Sequence, residues 1–179
     1  MSSRNKLVKN MVWNTTYQVL SLLIPLLTIP YVSRVLGTDG VGVYSYTYSI
    51  ANYFVLFATL GMAQYGVREI AKCGDNRERR SKVFCSAWAA QVLVSLPVLC
   101  IYLVYIIAFS NRAYIVSSFI WLFWVVSSSL DISWLYFGVE EFAVPTVRSV
   151  ITKLVGTFII FVFCRTSDDL WAYVLGISL

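Results

Sequence analysis

The chain has 179 residues, of which 59% are hydrophobic and only 13% are charged, with a formal net charge of +5. Soluble domains contain about 45–50% apolar and about 25% charged residues. The polar residues of this chain are therefore too few to cover a water-soluble core. The composition excludes a soluble globular domain and predicts a protein whose solvent is lipid.

Long stretches without Asp, Glu, Lys or Arg predict membrane-spanning helices. Three of them, residues 10–33, 40–67 and 83–111, exceed the roughly 20 residues that a helix needs to cross a hydrocarbon core about 30 Å thick. The sequence therefore predicts an all-α polytopic membrane protein with five complete transmembrane helices and a truncated sixth. The predicted helices span about residues 11–35, 41–65, 83–109, 114–137, 146–164 and, in part, 170–179.

The predicted connections are short apart from one charged loop. Pro25 and Pro30 predict a bend in the outer half of the first helix, because each proline removes a backbone donor and clashes with the preceding turn. A turn over residues 37–40 leads into the second helix, and a loop over residues 66–82 follows it. The first apolar segment is long and lacks a small-x-small cleavage site, which predicts a retained helix rather than a signal peptide.

The uneven distribution of basic residues predicts the orientation of the chain. If the N-terminus is cytoplasmic, Arg34, Arg112 and Arg165 lie outside, and the other eleven of the 14 basic residues lie inside. The basic run over residues 77–82 could also bind nucleic acid. Its position between two membrane spans favours a role in topology instead, so no nucleic-acid partner is predicted.

Residues suited to catalysis or metal binding are scarce. The chain has no His, and its cysteines, Cys73, Cys85, Cys100 and Cys164, form no CxxC pair. A metal site or a disulfide framework is therefore not expected. Walker A, GxSxG and zincin patterns are missing, and one intramembrane carboxylate cannot supply the acid–base pair of a glycosyl-transfer enzyme. We predict a protein that is not an enzyme and uses no cofactor.

Two predicted helices carry stripes of residues spaced three or four apart, which places each stripe on one helix face. The stripe of the second helix predicts either tight packing through small residues or the wall of a polar cavity. Its members are Ser45, Ser49, Asn52, Leu56, Thr59 and Ala63. The stripe of the fourth helix contains Ser117, Trp121, Trp124, Ser128, Asp131, Leu135 and Gly138.

Five residues are candidates for binding a substrate: Arg34, Asn52, Arg68, Asp131 and Arg148. Asp131 is the only acidic residue in a predicted span, where a charge costs at least about 2.5–3.5 kcal/mol. It therefore predicts either a structural ion pair with Arg148 or a role in transport. The three arginines lie at predicted helix ends, where they either extend to the membrane interface or bind phosphate through their planar guanidinium groups.

Two parts of the chain resemble the opening of bacterial polysaccharide-biosynthesis flippases. The first comprises residues 30–37 (PYVSRVLG), 42–46 (GVYSY) and 66–70 (GVREI), and the second is residues 131–142 (DISWLYFGVEEF). Over nearly its whole length the chain is similar to the O-antigen and capsule repeat-unit translocases of the multidrug/oligosaccharidyl-lipid/polysaccharide exporter superfamily.

The resemblance implies two pseudo-symmetric six-helix lobes around a central cavity, often with two extra helices. It implies translocation of an undecaprenyl-diphosphate-linked oligosaccharide across the bacterial inner membrane by alternating access, usually powered by an ion gradient. The implied partners are this lipid-linked oligosaccharide, the bilayer and other polysaccharide-assembly proteins. Basic cavity residues of such proteins are thought to engage the diphosphate, and Arg34, Arg68, Asp131 and Arg148 lie within or beside the matching stretches.

Members of the resembled family are more than twice as long as this chain. Residues 1–179 are therefore interpreted as an N-terminal lobe, present either as a fragment or as a truncated product that does not transport alone. Three further functions stay open at the level of sequence. They are multidrug efflux within the same superfamily, a membrane-embedded enzyme of polysaccharide assembly, and a remnant that does not transport.

Overall fold

The computed structural model describes the backbone of residues 3–179 and the side chains of residues 15, 18, 19 and 21–179. Arg4, Lys6 and Lys9, which were counted among the inner basic residues, lie outside the described side chains. Every regular element of residues 3–179 is a helix. The elements are α1 (Ser3–Thr59), α2 (Met62–Lys72), α3 (Arg77–Phe109), α4 (Ile115–Ser129), α5 (Ser133–Gly138), α6 (Ala143–Phe163), a 3-10 turn (Ser167–Asp169) and α7 (Leu170–Ser178).

Long apolar helices confirm the predicted all-α polytopic membrane protein. Residues 21–72, 77–109, 115–138 and 143–163 are long and apolar enough to cross a membrane. The first of these stretches has 52 residues, and Gly37 (φ 66°, ψ −172°) interrupts the helical geometry inside it. Gly37 therefore divides α1 into a first limb and a second limb, which correspond to the first two predicted helices. Helix α7 follows at the position predicted for the partial sixth.

The break in α1 lies at Gly37, within the predicted turn over residues 37–40. The backbone stays helical at Pro25 and Pro30, and Gly37 is the one position with non-helical angles inside α1. The φ angle of proline is compatible with a helix, and membrane helices tolerate the missing donor when neighbouring groups compensate for it. A positive φ, in contrast, is a conformation that glycine adopts readily. The chain therefore turns at Gly37, the first residue of the predicted turn, and is helical again from Thr38.

The prediction of a loop over residues 66–82 is wrong, because most of these residues are helical. Helix α2 includes residues up to Lys72, and α3 already begins at Arg77. The amide oxygen of Asn76 accepts a hydrogen bond from the backbone N–H of Arg79 (3.0 Å) and so caps α3. Charged residues therefore mark where the apolar span ends, but the helices continue beyond it into the polar interface.

Two spanning helices break near the same end of the bundle. The predicted fourth helix, residues 114–137, is divided into α4 and α5 by residues 130–132. The second limb of α1 ends before Leu60 and Gly61, whose φ angles are 35° and 71°, and α2 follows. The two short helices pack together, because Gly66 of α2 lies directly against the ring of Trp134 in α5.

The contacts between helices show that successive spans alternate in direction. The first limb of α1 runs parallel to α6, since Ser21 is bonded to Lys153 and the hydroxyl of Tyr31 donates to the carbonyl of Cys164. Helices α3 and α4 are antiparallel. Because of this alternation, one end of the bundle contains α2, the α2–α3 connection, α5 and the start of α6. We call it the charged end.

An aromatic core joins the second limb of α1 to α4. Trp121 is fully buried, and its indole N–H donates to the hydroxyl of Thr47 (3.1 Å). Tyr44 and Tyr48 pack against the same indole, with ring centroids 5.9 and 5.3 Å away. The bonded indole satisfies its donor while its ring fills the core, which fixes the rotation of α1 about its axis.

Helices α6 and α7 approach each other at two glycines, and this contact gives the first prediction. A Cβ atom at Gly156 would collide with the carbonyl oxygen of Gly176, which is backbone and cannot rotate away. Gly156→Ala should therefore lower the free energy of unfolding by about 1–3 kcal/mol, as overpacking does. Thermal and denaturant unfolding of the purified protein would measure the change.

The matched control is Gly42→Ala, because a Cβ atom at Gly42 would have no neighbour within 4 Å. We expect no loss of stability for this variant. Equal losses for the two variants would contradict the backbone contact between α6 and α7.

Candidate substrate-binding groove

The break between α4 and α5 is stabilised by one buried amide. Gln91 of α3 is only 2% exposed, and its Nε2 donates to the carbonyls of Ser129 (3.0 Å), Asp131 (3.2 Å) and Ser128 (3.4 Å). Its Oε1 accepts from the indole N–H of Trp134 (3.3 Å). The last carbonyls of a helix have no partner inside the helix. The carbonyl of Ser128 also accepts from the backbone N–H of Asp131 (3.4 Å), so Gln91 matters chiefly as the donor for the carbonyls of Ser129 and Asp131.

This break presents Asp131 at the charged end. The Oδ1 atom of Asp131 accepts from the hydroxyl of Ser133 (2.7 Å), from its backbone N–H (3.3 Å), and from Nη1 of Arg148 on α6 (3.3 Å). The side chains of Asp131 and Arg148 are 42% and 57% exposed. The predicted ion pair is therefore present, and it lies at the surface of the bundle rather than in its core.

A groove of about 550 Å³ runs between α2 and the α4–α5 break. Its lining residues are Ala63, Gln64, Val67, Arg68, Ala71, Asp131, Ser133, Trp134 and Phe137. The side chain of Arg68 is 74% exposed, and its Nε lies 3.8 Å from the carboxylate of Glu69. Because Glu69 is bound more closely by Lys72 (2.7 Å), Arg68 retains most of its donors for a ligand. The groove itself is lined by one positive and one negative side chain, Arg68 and Asp131, and Arg148 lies beside it as the partner of Asp131.

The stripe of the second predicted helix points away from the core. Ser45, Ser49, Leu56 and Ala63 are exposed, and Asn52 and Thr59 are half-buried. The buried face of this limb is formed by Thr47, Ala51 and Ala58 instead. The interpretation of the stripe as a tight packing surface is therefore wrong for the described part of the chain. Ala63, the last residue of the predicted stripe, lies in α2 beyond the break at Leu60 and Gly61, and it lines the groove together with Arg68.

The stripe of the fourth predicted helix is mainly a packing surface. Ser117, Trp121 and Gly138 are buried. A Cβ atom at Gly138 would lie 2.6 Å from Cγ2 of Ile70, so this stripe joins α5 to α2. Asp131 is the member of the stripe that reaches the groove.

The predicted site residues fall into three places. At the charged end, Asp131 lines the groove with Arg68 and is paired with Arg148, which is not part of the groove lining. Asn52 lies on the exposed stripe. Arg34 is exposed near the opposite end, because its neighbours Val32 and Leu36 pack against Ile160 and Cys164 at the end of α6. Ile160 lies 12 residues after Arg148 along α6. At about 1.5 Å per residue, Arg34 is therefore roughly 20 Å from Arg148 along the helix axis. Arg34 is therefore not part of the groove.

Sequence reasoning missed Gln91, whose amide organises the groove. The available signal was a long polar side chain inside the charge-free stretch of residues 83–111. A buried amide in such a span needs several partners, which could have indicated an interrupted helix nearby.

Gln91 gives the second prediction. Gln91→Met keeps the length of the side chain but removes the donor to three carbonyls and the acceptor for Trp134. Leaving such groups buried without partners should lower the free energy of unfolding by about 1–3 kcal/mol. Denaturant unfolding would measure the loss.

Gln64→Met is the control for this change. Gln64 is an exposed glutamine of α2, so its replacement should leave the free energy of unfolding within about 0.5 kcal/mol of the parent value. If Gln91→Met is no more destabilising than Gln64→Met, the break does not depend on Gln91.

These features define a polytopic helical membrane protein with alternating helices, an exposed polar face and a groove with charged residues at one end. The chain belongs to the family described as "Polysaccharide biosynthesis protein", which it matches over residues 7–179. This match confirms the family inferred from residues 30–70 and 131–142.

Two curated relatives carry the name "Putative O-antigen transporter". The protein of Escherichia coli (strain K12) is 24% identical over 176 residues, which are 94% of this chain and 41% of the relative. The protein of Shigella flexneri is 33% identical over 89 residues, which are 50% of this chain and 21% of the relative. The chain thus spans less than half the length of these relatives. No solved structure gives a significant match.

Proposed function

We propose that residues 1–179 form the N-terminal lobe of a flippase that moves a lipid-linked oligosaccharide across the bacterial inner membrane. In this proposal the N-terminus is cytoplasmic, the oligosaccharide is carried on undecaprenyl diphosphate, and transport proceeds by alternating access. The family and the names of the two relatives support a role in polysaccharide export. The positive charge of the loops at the charged end supports the orientation.

The observation that carries the proposal is the exposed polar stripe of α1, which is followed across the break at Leu60 and Gly61 by the groove. Ser45, Ser49 and Asn52 lie on a membrane-spanning helix but outside its packed face. The hydroxyl of Ser49 donates to the carbonyl of Ser45 (2.7 Å), but hydrocarbon offers the carboxamide of Asn52 no hydrogen-bond partner, so this face suits a wall wetted by water and sugar hydroxyls. Beyond the break, Ala63 borders the groove that contains Arg68 and Asp131.

The guanidinium groups of Arg68 and Arg148 suit a diphosphate. Arginine binds phosphate oxygens with two parallel hydrogen bonds and keeps its charge at any physiological pH. Both side chains are more than half exposed, so neither must leave a buried pair before it meets a ligand. Arg34 lies at the opposite end of the bundle, where it would meet the diphosphate only after the substrate has crossed.

The third prediction tests this diphosphate site. Arg68→Gln and Arg148→Gln should each weaken binding of a short prenyl diphosphate by about tenfold or more, because a hydrogen bond to a charged group contributes about 1.5–3 kcal/mol. Farnesyl diphosphate is a suitable probe for the protein in lipid nanodiscs, with affinity measured by calorimetry.

Arg165→Gln is the matched control, because Arg165 is exposed in the connection after α6, away from the groove. It should bind the probe as the parent does. Parent-like affinity of both groove variants would contradict the site. A protein that joins sugar units in a polymerisation assay, instead of translocating them, would support the enzyme alternative.

A further inference from the structure

We propose that Asp131 is an internal competitor of the substrate phosphate for Arg148, and so sets how tightly the groove holds its ligand. This inference rests on the proposed function, since it requires that Arg148 binds a diphosphate. It gives Asp131 a role distinct from the arginines: the carboxylate does not bind the substrate but occupies a guanidinium that does.

The geometry of the ion pair is that of an exchangeable contact. Arg148 reaches Asp131 with one nitrogen, Nη1, at 3.3 Å from Oδ1. A strong guanidinium–carboxylate pair makes two parallel hydrogen bonds of about 2.7–2.9 Å. The observed pair is single, long and half exposed, which places it among the weak surface pairs. A phosphate that offers Arg148 two short hydrogen bonds would therefore bind it more strongly than Asp131 does.

Asp131 is the stationary member of the pair. Its backbone carbonyl accepts from the buried Gln91 (3.2 Å), and its Oδ1 accepts from both the hydroxyl and the backbone N–H of Ser133. Arg148 carries its charge on a long flexible side chain that is 57% exposed. When a phosphate arrives, the guanidinium therefore moves and the carboxylate stays. Ser133 continues to stabilise the carboxylate after the guanidinium has left.

The same arrangement favours release of the substrate. A bound diphosphate would lie near a fixed negative charge that repels it, and Arg148 would always have a second partner to which it can return. A transport site must bind well enough to admit its cargo and weakly enough to let it leave. Asp131 meets the second requirement, whereas Arg68, whose contact with Glu69 is longer (3.8 Å) and shared with Lys72, meets the first.

Asp131→Asn tests this exchange and is the fourth prediction. The asparagine oxygen can still accept from Ser133, so the local structure is retained while the charge and the attraction to Arg148 are lost. Farnesyl diphosphate should bind the full-chain variant about two- to fivefold more tightly than the parent, which is the range expected when an exposed ion pair is removed. Thermal unfolding of each variant shows whether its fold is intact.

The double variant Asp131→Asn/Arg148→Gln isolates the competition from general electrostatics. If Asp131 acts by occupying Arg148, most of the gain in affinity should disappear in the Arg148→Gln background, because coupled residues are not additive. Asp168→Asn removes the same charge from the exposed 3-10 turn, outside the groove. It should leave affinity unchanged.

Each outcome separates this inference from the proposed function. A gain that is equally large in the Arg148→Gln background would show repulsion without competition and would overturn the inference. Unchanged or weaker binding by a folded Asp131→Asn protein, together with a loss in Arg148→Gln, would overturn it as well but leave the diphosphate site intact. Parent-like binding by the arginine variants would instead remove the site itself.

Discussion

The hydrogen bonds of Gln91 support the whole charged end of the molecule. The last carbonyls of a helix have no partner inside the helix, so another group must satisfy them where they are buried. Gln91 donates to three such carbonyls at the end of α4 and accepts from Trp134 at the start of α5. Without this amide, α4 and α5 would gain from merging into one helix, and Asp131 would be carried out of its position beside Arg148.

Close packing of α2 against α5 then fixes the position of Arg68 relative to the break between α4 and α5. Trp134 lies against Gly66, and Gly138 lies against Ile70, so α2 is held on α5 by two contacts that leave no room for a Cβ atom. Arg68 projects from α2 close to Asp131 for this reason. The two helix breaks thus place Asp131 near Arg68, which precedes it by 63 residues, and beside Arg148, which follows it by 17 residues. The exposed stripe of α1 is followed by this groove across the break before α2.

The spans were predictable because the lack of charge is a direct consequence of lipid solvation. The helix ends were not predictable from charge. Charged residues mark the membrane interface, but the backbone hydrogen bonds of a helix continue through it, as in α2 and the first turns of α3. Residues 130–132 contain neither Gly nor Pro, and the break there depends on Gln91, a contact 40 residues distant. The pair of Asp131 with Arg148 was anticipated as one of two alternatives. The separation of Arg34 from Arg68 and Arg148 agrees with the distribution of basic residues, which already put Arg34 on the opposite side of the membrane.

The central claim is that the stripe of α1 faces water rather than lipid or protein. Cysteine scanning from residue 45 to residue 59, in a background without the four native cysteines, would test it with a membrane-impermeant maleimide on the protein in nanodiscs. The account predicts fast labelling at Ser45, Ser49, Asn52 and Leu56, and slow labelling at Tyr53 and Phe57, which line an apolar groove. Fast labelling at Tyr53 and Phe57 with protection of the stripe would contradict it.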